Sequence, residues 1–206
     1  MKILLLGANG RTGREILNRA LRAGDSVTAL VRSEDRLADI THSQLSVHVG
    51  NVCDSNDLKK IISGHDLVIS TLGPRLPTKA ACTIYSDSAK AIVDAMQDCG
   101  VKRLLVTSTA LLFPTNKLLD RILRFVARHS ARNASLMEET IRASNLEWTI
   151  ARLGFLNDKI SIDYRQTEGA LPEGGGAISR AAVANFLLSE AKQPVHVHNV
   201  VGISNK

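Results

Sequence analysis

The sequence predicts a doubly wound α/β fold, in which a parallel sheet carries helices on both of its faces. Two observations lead to this prediction. Short apolar runs alternate along the chain with longer amphipathic stretches, and this alternation is typical of consecutive strand–helix–strand units. The apolar runs are also nearly continuous in Val, Ile and Leu, as expected of strands that are buried on both faces.

Seven stretches are predicted strands, and five longer ones between them are predicted helices. The strands are KILLLG (2–7), SVTALVR (26–32), LSVHVG (45–50), DLVISTLG (66–73), RLLVTS (103–108), EWTIARL (147–153) and HVHNVVGI (196–203). The helices span 11–24, 55–64, 85–100, 134–145 and 179–191. Gly24, Gly64 and Gly100 end three of the helices, where a C-cap glycine is favoured. Ser55 and Asp57 supply capping chemistry at the start of another.

The 206 residues suit one domain with a single large core. No stretch rich enough in Pro, Gly or Ser divides the chain, so we predict one domain over 1–206. Two segments, 111–133 and 157–179, interrupt the alternation of strands and helices. Both follow the carboxyl ends of predicted strands, where open α/β sheets build their ligand sites. Segment 111–133 is basic and apolar by turns, which fits a lid, a partner surface or a peripheral helix.

The composition narrows the classes of partner. A net charge of +6 suits nucleic acid, an anionic membrane or a phosphate-bearing ligand. Aromatic residues make up only 3% of the chain, which argues against binding of stacked bases. No apolar run approaches the ~18 residues of a membrane span, and the amino terminus lacks a signal-peptide pattern. We expect a cytoplasmic protein without nucleic-acid partners, as a monomer or a weak dimer.

The cysteines and histidines do not form a metal-binding pattern. Cys53, Cys82 and Cys99 are odd in number and far apart, so we interpret them as reduced thiols. The closest approach to a ligand pair is HVH at 196–198, since alternate residues of a strand put both rings on one face. Two ligands are weak evidence, and we predict no metal site.

The most informative motif is GANGRTG, between the first predicted strand and the first predicted helix. There Gly7 makes the tight turn, Gly10 lets the backbone approach a pyrophosphate, and Gly13 lets the helix pack on the sheet. The free N–H groups and the helix dipole both favour an anion. The alternative is that the glycines serve only a turn; their position between strand and helix favours dinucleotide binding in a Rossmann fold.

The end of the second strand predicts which dinucleotide is bound. An NAD-selective site places Asp or Glu here, whereas this chain has LVRSEDRL. Arg32 can bind a 2′-phosphate in a forked manner, Ser33 can donate to it, and Arg36 can reach it from the next turn. The alternative is that these arginines are solvated surface charges. Together they favour NADP(H) as the cofactor.

The spacing GxxGxxG resembles the extended and atypical short-chain dehydrogenase/reductases, whose usual text is GATGxTG. Asn9 replaces the usual Thr, and Arg11 and Thr12 complete the turn. The resemblance implies that Asn51 and Val52 of GNV lie against the adenine. It also implies that Leu72 and Gly73 of TLG lie against the phosphates and ribose.

The Tyr-x-x-x-Lys pair of most short-chain dehydrogenases is missing. The only tyrosines are Tyr85 and Tyr164, and neither has a lysine at the required spacing. What remains is VTSTALLF, in which Ser108 matches the serine that the family places beside the nicotinamide. Its alternative role is to cap the loop after the strand. Leu111, Leu112 and Phe113 form either an apolar wall for a flat substrate or buried packing under the next helix.

Over nearly its whole length the chain is similar to the flavin reductase/biliverdin-IXβ reductase group and, more broadly, to NmrA-like NAD(P)-binding proteins. The similarity rests on GANGRTG, LVRSEDRL, GNV, TLG, VTSTALLF and SNLEWTIARLGFL. It implies hydride transfer from NADPH to a planar conjugated acceptor such as a flavin, tetrapyrrole or quinone, with Leu153, Gly154 and Phe155 near the nicotinamide. Met137, Glu138 and Glu139 depart from the basic or His residues usual in that group.

Two other functions remain open from the sequence. One is a non-catalytic NADP(H)-binding regulatory or assembly protein of the NmrA type, which touches a partner protein. The other is an epimerase or dehydratase acting on a nucleotide sugar, which needs the missing Tyr–Lys pair and a larger substrate domain.

Overall fold

The computed structural model describes residues 1–74, 78–114 and 118–206. The strands are β1 (Lys2–Leu6), β2 (Ser26–Val31), β3 (Leu45–Val49), β4 (Leu67–Ser70), β5 (Arg103–Thr109), β6 (Glu147–Leu153), β7 (Phe155–Asn157), β8 (Tyr164–Glu168), β9 (Ala177–Ser179) and β10 (Asn199–Asn205). The helices are α1 (Arg11–Arg22), α2 (Ser55–Ile62), α3 (Lys79–Cys82), α4 (Ile84–Cys99), α5 (Leu118–Val126), α6 (Arg128–Arg142) and α7 (Arg180–Lys192).

Eight strands form one sheet in the order β3-β2-β1-β4-β5-β6-β10-β8. Neighbouring strands run parallel, except that β8 is antiparallel to β10 at the edge. Strand order reverses between β1 and β4, because the chain builds outward from β1 to β3 and then returns to β1's other side. Ligands of open α/β sheets bind at such a point, outside the carboxyl ends of the strands.

Helices cover both faces of the sheet. Alternate side chains of β1 enter different cores: Ile3 and Leu5 pack with apolar residues of α1 and α7. Leu4 and Leu6 pack on the opposite face with residues of α2, α4 and α6. Strands buried on both faces need apolar residues at every position, which explains their continuous Val, Ile and Leu runs. The predicted doubly wound fold is confirmed.

The two irregular segments contain more regular structure than the sequence suggested. Segment 111–133 includes α5 and the first turns of α6, which begins at Arg128 and not near residue 134; residues 115–117 lie outside the described ranges. Segment 157–179 contributes β8 to the large sheet and β9 to a two-stranded sheet with β7. Segment 111–133 follows β5 and segment 157–179 follows β6 and β7, and their place on the substrate side stays a prediction.

The expectation for HVH is wrong. The last strand begins at Asn199, and the two histidines lie in the turn before it, where His198 has a positive φ of 59°. The rings have different partners: Nδ1 of His196 lies 2.6 Å from Glu168 Oε1, and Nε2 of His198 lies 2.9 Å from the Leu146 carbonyl oxygen.

The longest described helix, α4, has 16 residues, below the ~20 that a bilayer span requires. Within the described ranges, none of the helices combines the length and the apolar character needed to cross a membrane.

Candidate functional site

The glycine turn brings the backbone of β1, α1 and the end of β4 into unusually close contact. Gly7 has φ +88°, and a Cβ there would lie 2.8 Å from Thr71 Oγ1. A Cβ on Gly13 would lie 2.1 Å from the Gly7 carbonyl oxygen, closer than any real contact. The first helical residues, Arg11 and Thr12, add no negative charge. The residue before α1 is Gly10, which supplies no side-chain cap, so among the described residues no cap covers the first backbone N–H groups of the helix, the usual setting for a phosphate.

A cavity of about 480 Å³ lies over the carboxyl ends of β1 to β4. It is lined by eight of the predicted cofactor residues: Gly7, Asn9, Gly10, Arg32, Asn51, Val52, Leu72 and Gly73. The Asn51 side-chain oxygen accepts a hydrogen bond from the Cys53 backbone N–H at 3.1 Å, which fixes this corner. The structure thus brings together the glycine turn, the first arginine and the two corners that the sequence linked to the cofactor.

Of the three residues predicted to bind the 2′-phosphate, only Arg32 lies on the cavity wall. Arg32 is exposed at the end of β2 and lines the cavity. Ser33 donates instead to Asp35, and Arg36 lies exposed in the 3₁₀ turn Glu34–Leu37. Arg14 holds this turn, because its guanidinium donates to the Arg36 carbonyl oxygen at 2.8 Å.

A second cavity of about 410 Å³ continues from the first across the end of β4. Both are lined by residues 71–74, so the two cavities adjoin at the point where strand order reverses, and together they are called the crevice below. The second cavity is lined by four further predicted residues: Thr12, Ser108, Leu153 and Gly154. Two adjoining compartments, the first of which contains Gly7 and Gly10 of the glycine turn, fit a dinucleotide with its pyrophosphate at α1.

Gly154 is required by its surroundings. A Cβ at this position would lie 2.3 Å from the Gly176 carbonyl oxygen, because β7 and β9 pair directly behind it. Phe155, predicted beside the nicotinamide, is 67% exposed, whereas its neighbour Leu156 lines the second cavity. Within the described parts of the walls, Arg11, Gly13, Ser33, Arg36, Leu112, Phe113 and Phe155 do not line either cavity.

Ser108 lies buried in the wall of the second cavity, at the end of β5. Its hydroxyl donates to Glu138 Oε1 at 2.6 Å. The loop that follows is capped by Thr109, whose Oγ1 accepts from the Leu111 backbone N–H. The loop cap that the sequence allowed for Ser108 is therefore supplied by Thr109.

Phe113 is part of the buried packing and does not line the second cavity. Its ring is buried, and the guanidinium carbon of Arg152 lies 4.6 Å from the ring centroid. The Phe113 carbonyl oxygen also accepts from Arg124 of α5 at 2.6 Å. Leu112 lies in the 3₁₀ turn between β5 and this packing.

Arg11, which the sequence placed with the glycine turn, pairs with a residue that sequence reasoning missed. Its Nη1 lies 2.8 Å from Asp158 Oδ2, and Arg180 Nη1 lies 2.6 Å from Oδ1 of the same carboxylate. This contact ties the loop after β7 to the amino end of α1.

Tyr85 is a second residue that sequence reasoning missed. It lines the second cavity with Ser130 of α6, and a Cβ on Gly73 would lie 3.3 Å from its hydroxyl oxygen. Burial raises the pKa of the Tyr85 hydroxyl, and a hydrogen bond with Ser130 partly opposes this. The Tyr85 hydroxyl therefore keeps its proton at neutral pH. The place of Tyr85 at the start of the long helix predicted between the fourth and fifth strands, here the first turn of α4, was the available signal, since that turn meets the carboxyl edge of the sheet.

Comparisons with known proteins found distant relatives by sequence and solved structures of the same fold. The photosystem II assembly factor Ycf39 of Synechocystis is 26% identical over 78% of this chain, which spans about half of that protein's length. An uncharacterised Bacillus subtilis protein named as a sugar epimerase, YhfK, is 30% identical over 77% of this chain and 74% of its own. A provisionally assigned NADH-flavin reductase from Streptococcus pneumoniae superimposes with a TM-score of 0.78 at 24% identity, covering both chains completely.

A short-chain dehydrogenase/reductase from Veillonella parvula, solved in complex with NADP, has a TM-score of 0.77 at 20% identity, over 99% of this chain and 94% of its own. These solved structures share the fold. The family model described as NAD(P)H-binding matches residues 7–194, nearly the whole chain and all of the crevice described above. The protein is a member of the NAD(P)H-binding family.

Proposed function

We propose that this protein is an NADPH-dependent reductase that passes hydride to a planar conjugated acceptor, with a flavin as the leading candidate and a tetrapyrrole or quinone as others. One observation carries the proposal: the cavity lined by Arg32 and the glycine turn shares residues 71–74 with the cavity lined by Ser108 and Tyr85, so the two adjoin. A dinucleotide that fills the first compartment must present its reactive ring in the second.

Each compartment has residues suited to one part of NADPH. The glycine turn and the amino end of α1 receive the pyrophosphate, and Asn51 and Val52 face the adenine. Arg32 receives the 2′-phosphate, with Ser33 and Arg36 close by in the chain. A hydrogen bond to a charged group contributes about 1.5–3 kcal/mol, so one such arginine accounts for a large preference for NADPH over NADH.

The second compartment orients the reacting rings. Bound NADPH supplies the hydride, and the residues of this chain hold donor and acceptor face to face. The conjugated acceptor stabilises the incoming charge itself, which is why the missing Tyr–Lys pair is compatible with this reaction. In this proposal Ser108 contacts the nicotinamide in the second cavity. The neutral hydroxyl of Tyr85, in the same cavity, can donate to a carbonyl oxygen of the acceptor.

The test is an acceptor screen. NADPH oxidation is followed by absorbance with flavin mononucleotide, then with quinones and open-chain tetrapyrroles, and NADPH binding is measured separately by calorimetry. We expect turnover with at least one flat acceptor. Binding of NADPH without turnover on any of them contradicts the reductase assignment.

A second function, an NADP(H)-binding protein that docks on a partner, is favoured by one observation. Ile122, Phe125 and Val126 of α5 are 50%, 69% and 69% exposed, and apolar side chains grouped in this way are typical of protein interfaces. If this function is correct, NADPH binds tightly, no acceptor turns over, and replacing Phe125 by Ser leaves nucleotide affinity unchanged.

A further inference from the structure

A buried charged cluster lies directly behind Ser108. Glu138 of α6 is 2% exposed, and it accepts four hydrogen bonds. Oε1 accepts from Ser108 Oγ at 2.6 Å and from Arg152 Nε at 2.9 Å. Oε2 accepts from Arg152 Nη2 at 2.7 Å and from Arg142 Nη2 at 3.0 Å. Two guanidinium groups and the Ser108 hydroxyl therefore surround one carboxylate, and the bonds from the arginines are charge-assisted.

The cluster is held rigidly. The guanidinium carbon of Arg152 lies 4.6 Å from the Phe113 ring centroid, and that of Arg142 lies 6.0 Å from the Trp148 ring. These contacts favour one orientation of each arginine, because cations are attracted to aromatic faces. Glu138 cannot rotate without losing several charge-assisted hydrogen bonds at once.

This arrangement determines the polarity of the Ser108 hydroxyl. A serine carries one hydrogen and two lone pairs, and a carboxylate only accepts. The hydrogen of Ser108 is therefore committed to Glu138, and only lone pairs remain for a ligand in the second cavity. A group that meets Ser108 there must bring its own N–H or O–H.

We propose that Glu138 is a positioning residue that fixes Ser108 as a hydrogen-bond acceptor, and that Ser108 thereby recognises the amino group of the nicotinamide carboxamide. This inference rests on the proposed function, which places the nicotinamide in the second cavity. It gives Ser108 the role of accepting a hydrogen bond from the carboxamide N–H of the nicotinamide. Tyr85 is then the residue that donates a hydrogen bond to the acceptor molecule.

The test compares binding of NADP⁺ with binding of its 3-acetylpyridine analogue, which keeps the carbonyl but replaces the amino group by methyl. Calorimetry without any acceptor gives both dissociation constants. The native protein should prefer NADP⁺ by roughly tenfold, because the analogue leaves the Ser108 lone pairs unpaired. In S108A this preference should fall to about twofold or less, on the same reasoning.

E138Q tests the positioning role. The amide oxygen will occupy the Oε2 position, because the other orientation would set the amide N–H₂ against two donors, Arg152 Nη2 and Arg142 Nη2. The amide N–H₂ then faces Ser108, and only the hydrogen bond from Arg152 Nε is lost. The serine then accepts from Gln and turns its hydrogen to the cavity, and the preference should vanish or reverse. E139Q is the matched control, since Glu139 is exposed on the same helix and, among the described residues, its side chain bonds only Ser135; it should keep the native preference.

Thermal melting shows whether E138Q is folded; if it is not, S108A decides alone, because its substitution removes one oxygen atom at the cavity wall. Equal affinity of the native protein for both nucleotides overturns the inference, as does a preference that survives in S108A. If neither nucleotide binds, the proposed function fails as well, so the two failures are distinguishable.

Discussion

Replacing Gly13 by Ala sets two opposing effects against each other. Alanine inside a helix is more favourable than glycine by about 1 kcal/mol. The new Cβ, however, would lie 2.1 Å from the Gly7 carbonyl oxygen, about 1.3 Å short of an ordinary contact. Overpacking costs about 1–3 kcal/mol, and the upper end applies here because the obstacle is backbone. We therefore expect a net loss of about 2 kcal/mol, or roughly 4–8 °C in Tm for a chain of this size.

The same clash should also weaken NADPH binding, because α1 can relieve it only by moving its amino end away from the turn. Calorimetric affinity and a melting curve measure the two effects separately. Gly10→Ala is the control, since a Cβ there would lie 3.2 Å from the Gly7 oxygen, a contact that small shifts relieve. We expect it to leave Tm nearly unchanged. A Gly13→Ala protein with native Tm and native NADPH affinity would refute the reasoning.

Three further predictions concern single side chains. Arg32→Ala should weaken the binding of NADPH by about 10- to 100-fold and that of NADH much less, as measured by calorimetry. Arg22→Ala, at the far end of α1, is the control and should weaken the binding of neither nucleotide. Equal losses of affinity for both nucleotides contradict the assignment of Arg32 to the 2′-phosphate. Tyr85→Phe should lower kcat/KM for the acceptor with unchanged NADPH affinity, and since burial raises the pKa of Tyr85, the loss should be constant from about pH 6 to pH 9; a loss that titrates in this range contradicts a neutral donor. Hydrogen bonding to Arg14 lowers the pKa of Asp39, so the pair stabilises the folded protein at neutral pH and this stabilisation is lost on acidification. The Tm difference between the native protein and Asp39→Asn should therefore close below about pH 4. A Tm difference that does not change with pH contradicts a contribution from the ionised Asp39.

The strands and the glycine turn were predictable because their signals are local. Gly7 and Gly13 stand where only glycine fits, and the continuous apolar runs reflect burial on both faces. The first compartment follows from these, since the carboxyl ends of β1 to β4 meet at one edge whatever the rest of the chain does.

The second compartment was less predictable because its contacts join distant parts of the chain. Glu138 meets Ser108 across 30 residues and Arg152 across 14, and Asp158 meets Arg11 across 147. Nothing in the local pattern around Phe113 distinguishes a substrate wall from a platform under Arg152. The strand prediction for HVH was wrong for a related reason. The His196 ring bonds Glu168 and the His198 ring bonds the Leu146 carbonyl oxygen, both distant in the chain, and the strand begins only at Asn199.

The shared carboxylate of Asp158 gives its loop two attachments of unequal strength. Arg11 is 71% exposed in this pair, and such a bond contributes less than about 1 kcal/mol. Arg180, only 9% exposed, pairs with the same carboxylate from the start of α7. An anion that binds at the glycine turn can therefore draw the Arg11 guanidinium away from Asp158 at little energetic cost, while the pair with Arg180 keeps the loop in place.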